Sequence, residues 1–286
     1  MALGTDHVTG TSIANWRPNI WTSEILAERE SNLVLAPLVK RYDRDIRSKG
    51  QTVEVPQLSN LTANAKVANT QVTLNSNVED KLTITIDQHW EASVLVEDFA
   101  DAQSAYDTHA EYRKKTGYAI AEKVDNFIAT TATTNFTQEV GTFGTALTYD
   151  VILDAKQKLD EAKAPLTDRH FVVTPKGHRD LLSIDEFIRY DAMGVGGTSS
   201  SPIKTGKVGS ILGFEVYMSQ NLVVTAGTPV ENNNLFFHRE AFAVAMQKSM
   251  VTEAQRKVEY LGDLIVTQAL WGGRVLRADH GVVVKC

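Results

Sequence analysis

The sequence predicts a mixed α+β protein, and three patterns along its 286 residues support this class. Strand-like alternation of apolar and polar residues occurs near the beginning and near the end of the chain. Between them lies one long stretch of helical periodicity, followed by a segment in which short helical and strand patterns alternate. Because strand patterns flank the long helix, we expect the ends and the middle of the chain to share one sheet.

Composition places the chain among ordinary globular proteins and excludes several function classes. Lysine and arginine number 29 against 35 aspartates and glutamates, and the net charge of −6 argues against a reader of nucleic-acid sequence. The one cysteine, Cys286, excludes an internal disulfide framework and a cysteine-based metal site. The chain shows neither an apolar stretch long enough for a membrane span nor a secretory signal. We therefore expect a soluble protein of a reducing cytoplasm.

Residues 1–48 have the pattern of an arm rather than of a core element. Trp16, Ile20, Trp21 and Ile25 follow one another at spacings that predict an amphipathic helix with two tryptophans on one side. Two interpretations stay open. The tryptophans pack either on the core of their own chain or on a neighbouring subunit.

Residues 49–98 predict a long two-stranded excursion with a polar tip. Thr52 to Val55 alternate like a strand, and alternation resumes from Lys81 to Ile86 and continues through Trp90 to Val96. The segment from Gln57 to Asp80 holds five asparagines, no aromatic residue and no glycine. A hairpin of this kind is marginal in water, so we expect contacts from outside to stabilise it. The alternative is a plain surface β-meander on its own domain.

The strongest helical pattern runs from about Ser104 to Thr130 and predicts a helix of roughly 40 Å, nearly the width of the molecule. Its apolar stripe comprises Tyr106, Ala110, Gly117, Ala121, Val124 and Ile128, with Ile120 and Phe127 flanking it. Glycine inside a helix costs about 1 kcal/mol. Gly117 therefore predicts that another element approaches the helix closely there.

The remaining chain divides into a small α/β unit, residues 149–222, and a returning sheet, residues 223–286. In the first, a helix is expected to start near Thr148, and a second helix at Pro175. The glycine- and serine-rich run from Gly194 to Ser201 predicts a flexible loop. In the second segment, several short apolar runs predict strands, and the pair Gly272 and Gly273 predicts a turn between two of them.

No catalytic motif agrees with the residue types and their spacing. Ser201 to Lys204 matches the S-x-x-K pattern of penicillin-type acyl enzymes, but the companion S-D-N motif is missing. The seven histidines include no short-spaced pair, so a metal site would need ligands from distant segments. Carboxylates such as Glu97 and Asp98 are typical of solvated helix ends. The sequence therefore predicts no catalytic residue, no cofactor site, no metal site and no enzyme.

Several phrases of the sequence, taken in order, carry a family resemblance. The hairpin opens with GQTVEVPQLSN and closes with ITIDQHWEASVLVED. Later phrases are HFVVTPKGHRDLL, KVGSILGFEVYMSQNL, LFFHREAFAVAMQK and the ending WGGRVLRADHGVVV. With this order and spacing, the whole chain resembles the major capsid (coat) proteins of tailed bacteriophages. That family has the Hong Kong 97-type fold, which encapsulins share.

The resemblance implies a capsid fold with four parts. Residues 1–48 would be an N-terminal arm, and residues 49–98 an extended loop (E-loop) hairpin that lies over a neighbouring subunit. Residues 99–148 and 223–286 would form a peripheral domain around the long spine helix. Residues 149–222 would form an axial α/β domain, whose loops meet at a five- or six-fold centre.

The resemblance also implies a function and partners. Copies of the chain would form the hexamers and pentamers of an icosahedral shell, assembled in the host cytoplasm and carried in the virion. The residues expected at subunit interfaces are Trp16, Trp21, Asn60, Asn64, Lys66, Gly194, Gly196 and Gly197. The residues before the hairpin are too few for a built-in scaffold, so the resemblance implies a separate scaffolding protein or none, and a portal is expected as a further partner. The shell would enclose double-stranded DNA without sequence-specific binding. Its acidic charge suits this role, because a basic wall would hold the DNA phosphates and resist packaging.

Two questions stay open. Some family members join a loop lysine covalently to an asparagine of a neighbour, and Lys66 lies near Asn60 and Asn64, although a solvated lysine is the usual meaning of such a residue. For the function, the alternatives are an encapsulin-like bacterial container that binds cargo peptides and a small-molecule enzyme whose site is built from remote residues.

Overall fold

The structure is a computed structural model, which describes residues 33–44, 46, 50–58, 63–72, 74–75, 79–99, 108–184 and 209–286. The helices are α1 (Leu35–Leu38), α2 (Thr108–Asn135), α3 (Tyr149–Glu161) and α4 (Pro175–Leu181). The first strands are β1 (Lys40–Arg41), β2 (Thr52–Leu58), β3 (Glu79–Thr85), β4 (Gln88–Glu97), β5 (Gln138–Gly141) and β6 (Arg169–Val173). The later strands are β7 (Ser210–Ile211), β8 (Phe214–Met218), β9 (Val224–Thr225), β10 (Glu231–His238), β11 (Phe242–Lys257), β12 (Gly262–Val275) and β13 (Gly281–Lys285). The predicted α+β class is confirmed.

The first sheet has the strand order β1-β11-β12-β4 and unites segments from both sides of α2. β11 and β12 form a long antiparallel hairpin. β4 pairs antiparallel with β12, from Gln88 opposite Trp271 to Glu97 opposite Gly262. Strands from before and after the long helix thus share this sheet, but the expectation that the ends and the middle of the chain share one sheet is wrong, because the middle strands β5, β6 and β8 and the last strand β13 belong to a second sheet.

The second sheet has the order β5-β13-β10-β6-β8-β7, and β9 adds to one end of β10. Its central strands are buried on both faces, which explains why they read as continuous apolar runs. Leu235 and Phe237 pack in one cluster with residues of α2 such as Ile128. Phe236, between them, packs in another cluster with Leu159 of α3. The second sheet is thus the middle of three layers.

Helix α2 confirms the long helix and corrects two details of it. It continues to Asn135 rather than ending at Thr130, and residues 104–107 lie outside the described part of the chain. Ile120, expected beside the apolar stripe, is 3% exposed and lies within it. The prediction of a close approach at Gly117 is wrong, because a Cβ there would lie an ordinary 3.6 Å from the Sδ atom of Met250.

Asp125, on the buried side of α2, holds the segment that leads into the core. Its Oδ2 atom accepts hydrogen bonds from the backbone N–H groups of Val34 (2.7 Å) and Leu35 (3.2 Å), and its Oδ1 atom accepts one from Ala36 (3.0 Å). These are the donors that the start of α1 leaves without partners inside the helix. Burial raises the pKa of this carboxyl group, against the opposing effect of the three N–H donors. Sequence reasoning missed this residue, because a lone aspartate in a helical pattern is typical of a solvated face.

We predict that Asp125→Asn lowers the free energy of unfolding by about 1–3 kcal/mol, since an amide places an N–H₂ group where a backbone N–H needs an acceptor. Urea unfolding of the unassembled chain measures this loss. The control is Asp150→Asn, which changes an exposed carboxylate in the first turn of α3 and should stay within about 0.5 kcal/mol of the wild type. Equal stability of the two variants would contradict the proposal that the Asp125 carboxylate holds the start of α1 in place.

The glycine pair Gly272 and Gly273 does not form the predicted turn, and that prediction is wrong. β12 continues through both residues to Val275. A Cβ on Gly272 would lie 2.0 Å from the carbonyl oxygen of Thr85 and 2.8 Å from the Cα atom of Ile86. The glycine is required because the backbone between β3 and β4 passes directly over β12.

The two helices predicted near Thr148 and at Pro175 are confirmed as α3 and α4. The Thr174 hydroxyl caps α4 by accepting a hydrogen bond from the N–H of Gly177 (3.2 Å). Asn234, fully buried on β10, accepts hydrogen bonds from the Thr174 N–H (2.7 Å) and hydroxyl (3.0 Å), and its amide donates to the Val284 carbonyl (3.1 Å). One buried side chain thus joins β10, β13 and the start of α4.

Candidate functional site

The extended hairpin, defined here as residues 50–86, has a two-stranded ladder and an exposed outer part. β2 and β3 pair antiparallel from Thr52 opposite Thr85 to Leu58 opposite Glu79. Between Pro56 and Lys81, every residue whose side chain the structure describes is exposed. The exposed apolar side chains are those of Val67 (64%), Val72 (60%) and Leu74 (85%). Together these three residues are called the hairpin tip below.

The base of the extended hairpin is firmly packed on the first sheet. Val53 and Ile84 are buried in a small cluster with Ala243 and Ala245 of β11. A guanidinium N–H of Arg274 donates to the Thr83 carbonyl at 3.0 Å. The packed base therefore fixes where the hairpin leaves the sheet.

Polar contacts within the outer part shape the hairpin locally. The Lys66 ammonium donates to the carbonyls of Val67 (3.0 Å) and Thr70, and the Thr70 hydroxyl donates to the Val67 carbonyl (2.7 Å). The Asn64 amide donates to the side-chain oxygen of Asn75 at 2.7 Å, which joins the two sides of the loop. These bonds give the loop a defined turn, while its apolar side chains face solvent.

A second exposed apolar surface lies at the turn between β11 and β12. It consists of Phe99, Val258, Tyr260 and Leu261, and is called the sheet tip below. Leu261 adopts a left-handed conformation (φ 45°), and its carbonyl accepts a hydrogen bond from the Asp98 N–H at 3.0 Å. That bond brings Phe99, which follows β4, beside the turn. Apolar side chains clustered in this way on a surface commonly mark a place where another molecule binds.

An exposed ion-pair network supports the sheet tip. The Arg256 guanidinium donates to both carboxylate oxygens of Asp98 and lies 3.5 Å from Asp263. The hydrogen bond from Arg256 is the main reason why the pKa of Asp98 is lowered. A carboxylate with a lowered pKa is a weak base, so this pair is suited to tying the residue after β4 to β11 across the intervening strand β12 rather than to proton transfer.

The base of the extended hairpin and the sheet tip lie at opposite ends of the first sheet. β4 connects them, because it begins just after the hairpin base and ends at the sheet tip. Its 10 residues span roughly 33 Å at the usual rise of a strand. Two different exposed apolar surfaces on one subunit, the hairpin tip and the sheet tip, suit head-to-tail contacts between copies, which close into rings when the rotation allows.

The residues expected at interfaces fall into two groups. Asn64 and Lys66 lie on the outer part of the extended hairpin, in the contacts given above. The others lie outside the described residues: Trp16, Trp21, Asn60, Gly194, Gly196 and Gly197. Sequence reasoning did not identify the sheet tip. The available signal was three apolar residues, Val258, Tyr260 and Leu261, at the turn after the polar end of β11, where a turn does not require them.

The described residues offer little for chemistry. Among them, no group of three or more histidine, cysteine, aspartate or glutamate side chains could hold a metal ion. Burial raises the pKa of the Cys286 thiol, which leaves it protonated at neutral pH and a poor nucleophile. Within the same part of the chain, no helix is both long and apolar enough to cross a membrane.

Comparison with known proteins gives one family and several similar structures. A family model described as phage capsid protein matches residues 43–286. A structure from Mycobacterium phage Che8 is 27% identical with a TM-score of 0.80, and the match covers 94% of this chain and 97% of that one. No curated protein matches the chain.

Two further structures share the fold at lower identity. The capsid structure of the Cyanophage P-SCSP1u is 20% identical with a TM-score of 0.78, and the match covers 99% of this chain and 96% of that chain. The mature capsid of bacteriophage PhiM1 is 17% identical with a TM-score of 0.75, over 99% and 96% of the two chains. Their whole-length coverage shows that the architecture described above is shared from one end to the other.

Proposed function

Because the chain belongs to the phage capsid protein family and is a structural subunit that forms the virion shell, we propose that its copies form hexamers and pentamers of an icosahedral shell. The shell would enclose the double-stranded DNA of a tailed phage and would assemble in the host cytoplasm. The observation that carries this proposal is the extended hairpin, which has a packed base and an exposed apolar tip. Covering that tip with a neighbouring copy supplies the contacts that a lone hairpin lacks.

We propose the same four parts that the resemblance implies. Residues 1–48 form the arm, residues 49–98 the hairpin part, residues 99–148 and 223–286 the peripheral domain, and residues 149–222 the axial domain. In support, the peripheral segments supply α2 and the long β11–β12 hairpin, and the axial segment supplies α3 and α4. The two domains share the second sheet, since β6 and β8 of the axial segment join β10 and β13.

Contacts between copies would use surfaces from each part. The hairpin tip would lie on a neighbouring subunit, and the sheet tip would meet other copies at the edge of the capsomer. Trp16 and Trp21 would place the arm on a neighbour, and the loop with Gly194, Gly196 and Gly197 would lie at the capsomer centre. Closed symmetric assembly buries such surfaces cooperatively, and obligate interfaces commonly exceed about 2,000 Å².

Further partners follow from the same proposal. A separate scaffolding protein and a portal would take part in assembly. The net charge of −6 supports a wall that lets packaged DNA slide, because acidic side chains outnumber the basic ones that could hold its phosphates. The family match does not favour an encapsulin-like container or a small-molecule enzyme.

The proposal is tested by expressing the full chain alone and together with the scaffold of the same phage. Size-exclusion chromatography and negative-stain electron microscopy should show shells, rings or capsomers. A strict monomer under all of these conditions would overturn it.

A further inference from the structure

The chain passes directly from one sheet to the other at two short links. In the first, β10 of the second sheet leads through a 3₁₀ turn, Arg239–Ala241, into β11 of the first sheet. In the second, β12 of the first sheet leads through the 3₁₀ turn Ala278–His280 into β13 of the second. The two links lie side by side, since the N–H groups of Leu276 (2.8 Å) and Arg277 (3.2 Å) both donate to the Ala241 carbonyl. Any change in the angle between the sheets must bend both links.

A buried histidine stands at each link, His238 at the start of the first and His280 in the second, and the two rings meet edge to face. His238 is 4% exposed and His280 is 5% exposed. Their ring centroids are 6.2 Å apart, with an interplanar angle of 82°. Two charges at that separation in a buried site would repel each other, because little water is present to screen them.

The hydrogen bonds of both rings fit neutral imidazole. The Nδ1 atom of His238 accepts a hydrogen bond from the Glu240 N–H at 3.2 Å, and so caps the first turn. A proton on that atom would place two donors against each other. His280 is hydrogen-bonded to the backbone of Ala162, and its buried Nδ1 atom has no hydrogen-bond partner among the residues that the structure describes. Protonation of either ring therefore adds a buried charge or breaks a cap.

Charged groups from the neighbouring elements act on the pair in opposite directions. Acidic groups favour protonated rings: Asp168 before β6, Glu240 in the first turn and Asp279 in the second. Basic groups disfavour them: Arg169 on β6 and Arg277 beside the second turn. These effects partly cancel, and burial lowers the pKa of both His238 and His280.

The Glu240 carboxylate is itself held by another element. It forms an ion pair with Lys40 of β1 at 2.7 Å. The negative charge nearest to His238 is thus largely occupied, which leaves the ring pair without a dedicated counter-ion among the described residues.

We propose that the His238–His280 pair is a proton-sensitive hinge, which holds the two sheets at a fixed angle while both rings are neutral and loosens when they are protonated. The sign follows from linkage. A histidine that takes up a proton more readily in the open state than in the closed state favours opening as the pH falls below its ordinary pKa of about 6.5. The hinge is a property of the subunit and does not rest on the proposed function.

The test is amide hydrogen exchange of the full chain between pH 7.5 and pH 5.5, corrected for the intrinsic pH dependence of exchange. Segments 238–242 and 275–281 should lose protection as the pH falls, by up to about tenfold per pH unit for each histidine that titrates. The strands of the second sheet, such as β6, should lose less.

The decisive variant is His238→Asn with His280→Gln, because the amide oxygen keeps the cap on the Glu240 N–H and the glutamine N–H₂ can still donate to Ala162. At pH 7.5 this variant should show the same amide protection as the wild type, and at pH 5.5 the two links should lose none of that protection. If the double variant does not fold, His238→Asn alone should remove about half of the pH dependence on a logarithmic scale.

The control is His178→Asn, since burial also lowers the pKa of His178, which lies on α4. This variant should keep the wild-type loss of protection in both links. Identical pH profiles for the wild type and the hinge variant, or a control that flattens the profile equally, would overturn the hinge.

Discussion

Replacing the hairpin tip by serine, in the triple variant Val67→Ser, Val72→Ser and Leu74→Ser, is expected to abolish shell formation and to leave the subunit folded. The three side chains are exposed in the subunit and contribute nothing to its core. Burying a residue of this size on a neighbour is worth about 1.5–3 kcal/mol. Every copy in a closed shell loses the same contacts. The equilibrium constant for cooperative assembly therefore falls far more than the loss of one contact in one copy would lower it.

The measurement combines urea unfolding of the unassembled variant with electron microscopy of its assembly products. The matched control keeps the apolar chemistry, in Val67→Ile, Val72→Ile and Leu74→Met, and should still give shells. If the serine variant assembled normally, the tip would not be an interface. If it unfolded, the tip would belong to the core of its own subunit.

Gly272→Ala is expected to lower the free energy of unfolding by about 3 kcal/mol, at the upper end of the usual cost of overpacking. The added Cβ would meet the Thr85 carbonyl oxygen at 2.0 Å, and a backbone atom in a sheet cannot turn aside as a flexible side chain can. The strain would fall on the base of the extended hairpin, so shells should also form in lower yield. Urea unfolding measures the first effect, and sedimentation of the assembled fraction measures the second.

Gly117→Ala is the matched control for Gly272, because it adds the same methyl group in the interior of α2. The nearest atom to the new Cβ would be the Met250 Sδ at 3.6 Å, an ordinary contact. Alanine is the better helix former by up to about 1 kcal/mol, so this variant should be as stable as the wild type or more stable. Equal destabilisation by both substitutions would contradict the argument from close backbone packing.

Local patterns were sufficient for most elements and for the family. The helices α2, α3 and α4 follow from apolar spacing, Thr148 and Pro175, and the central strands β6, β10 and β13 of the second sheet contain continuous apolar runs, whereas the edge strand β5 (QEVG) has no such run. The resemblance to phage capsid proteins rested on phrases in a fixed order, and the family match confirms it. The outer part of the extended hairpin could also be expected to lack cover, because asparagine-rich sequence without aromatic residues forms no core.

Those patterns could not identify side chains whose role depends on a residue far away in the sequence. Asp125 lies on the apolar side of α2, three residues before Ile128, yet no spacing shows that it binds the N–H groups of a segment that lies far earlier in the chain. The pairing of His238 with His280 depends on two links that only the sheet topology brings together. Periodicity cannot indicate such contacts, because neither His238 nor His280 has a local sequence pattern that points to its partner.

The amino-acid sequence alone determined the α+β class, the order of the elements, the long helix and the family of this protein. Only the tertiary structure decided that β4 pairs with β12, that Gly272 lies under the hairpin base, and that the sheet tip is an exposed apolar surface. The physical reason is that propensity and periodicity act between residues close in the chain. Strand pairing and backbone packing instead join residues far apart, and their energies depend on the whole fold.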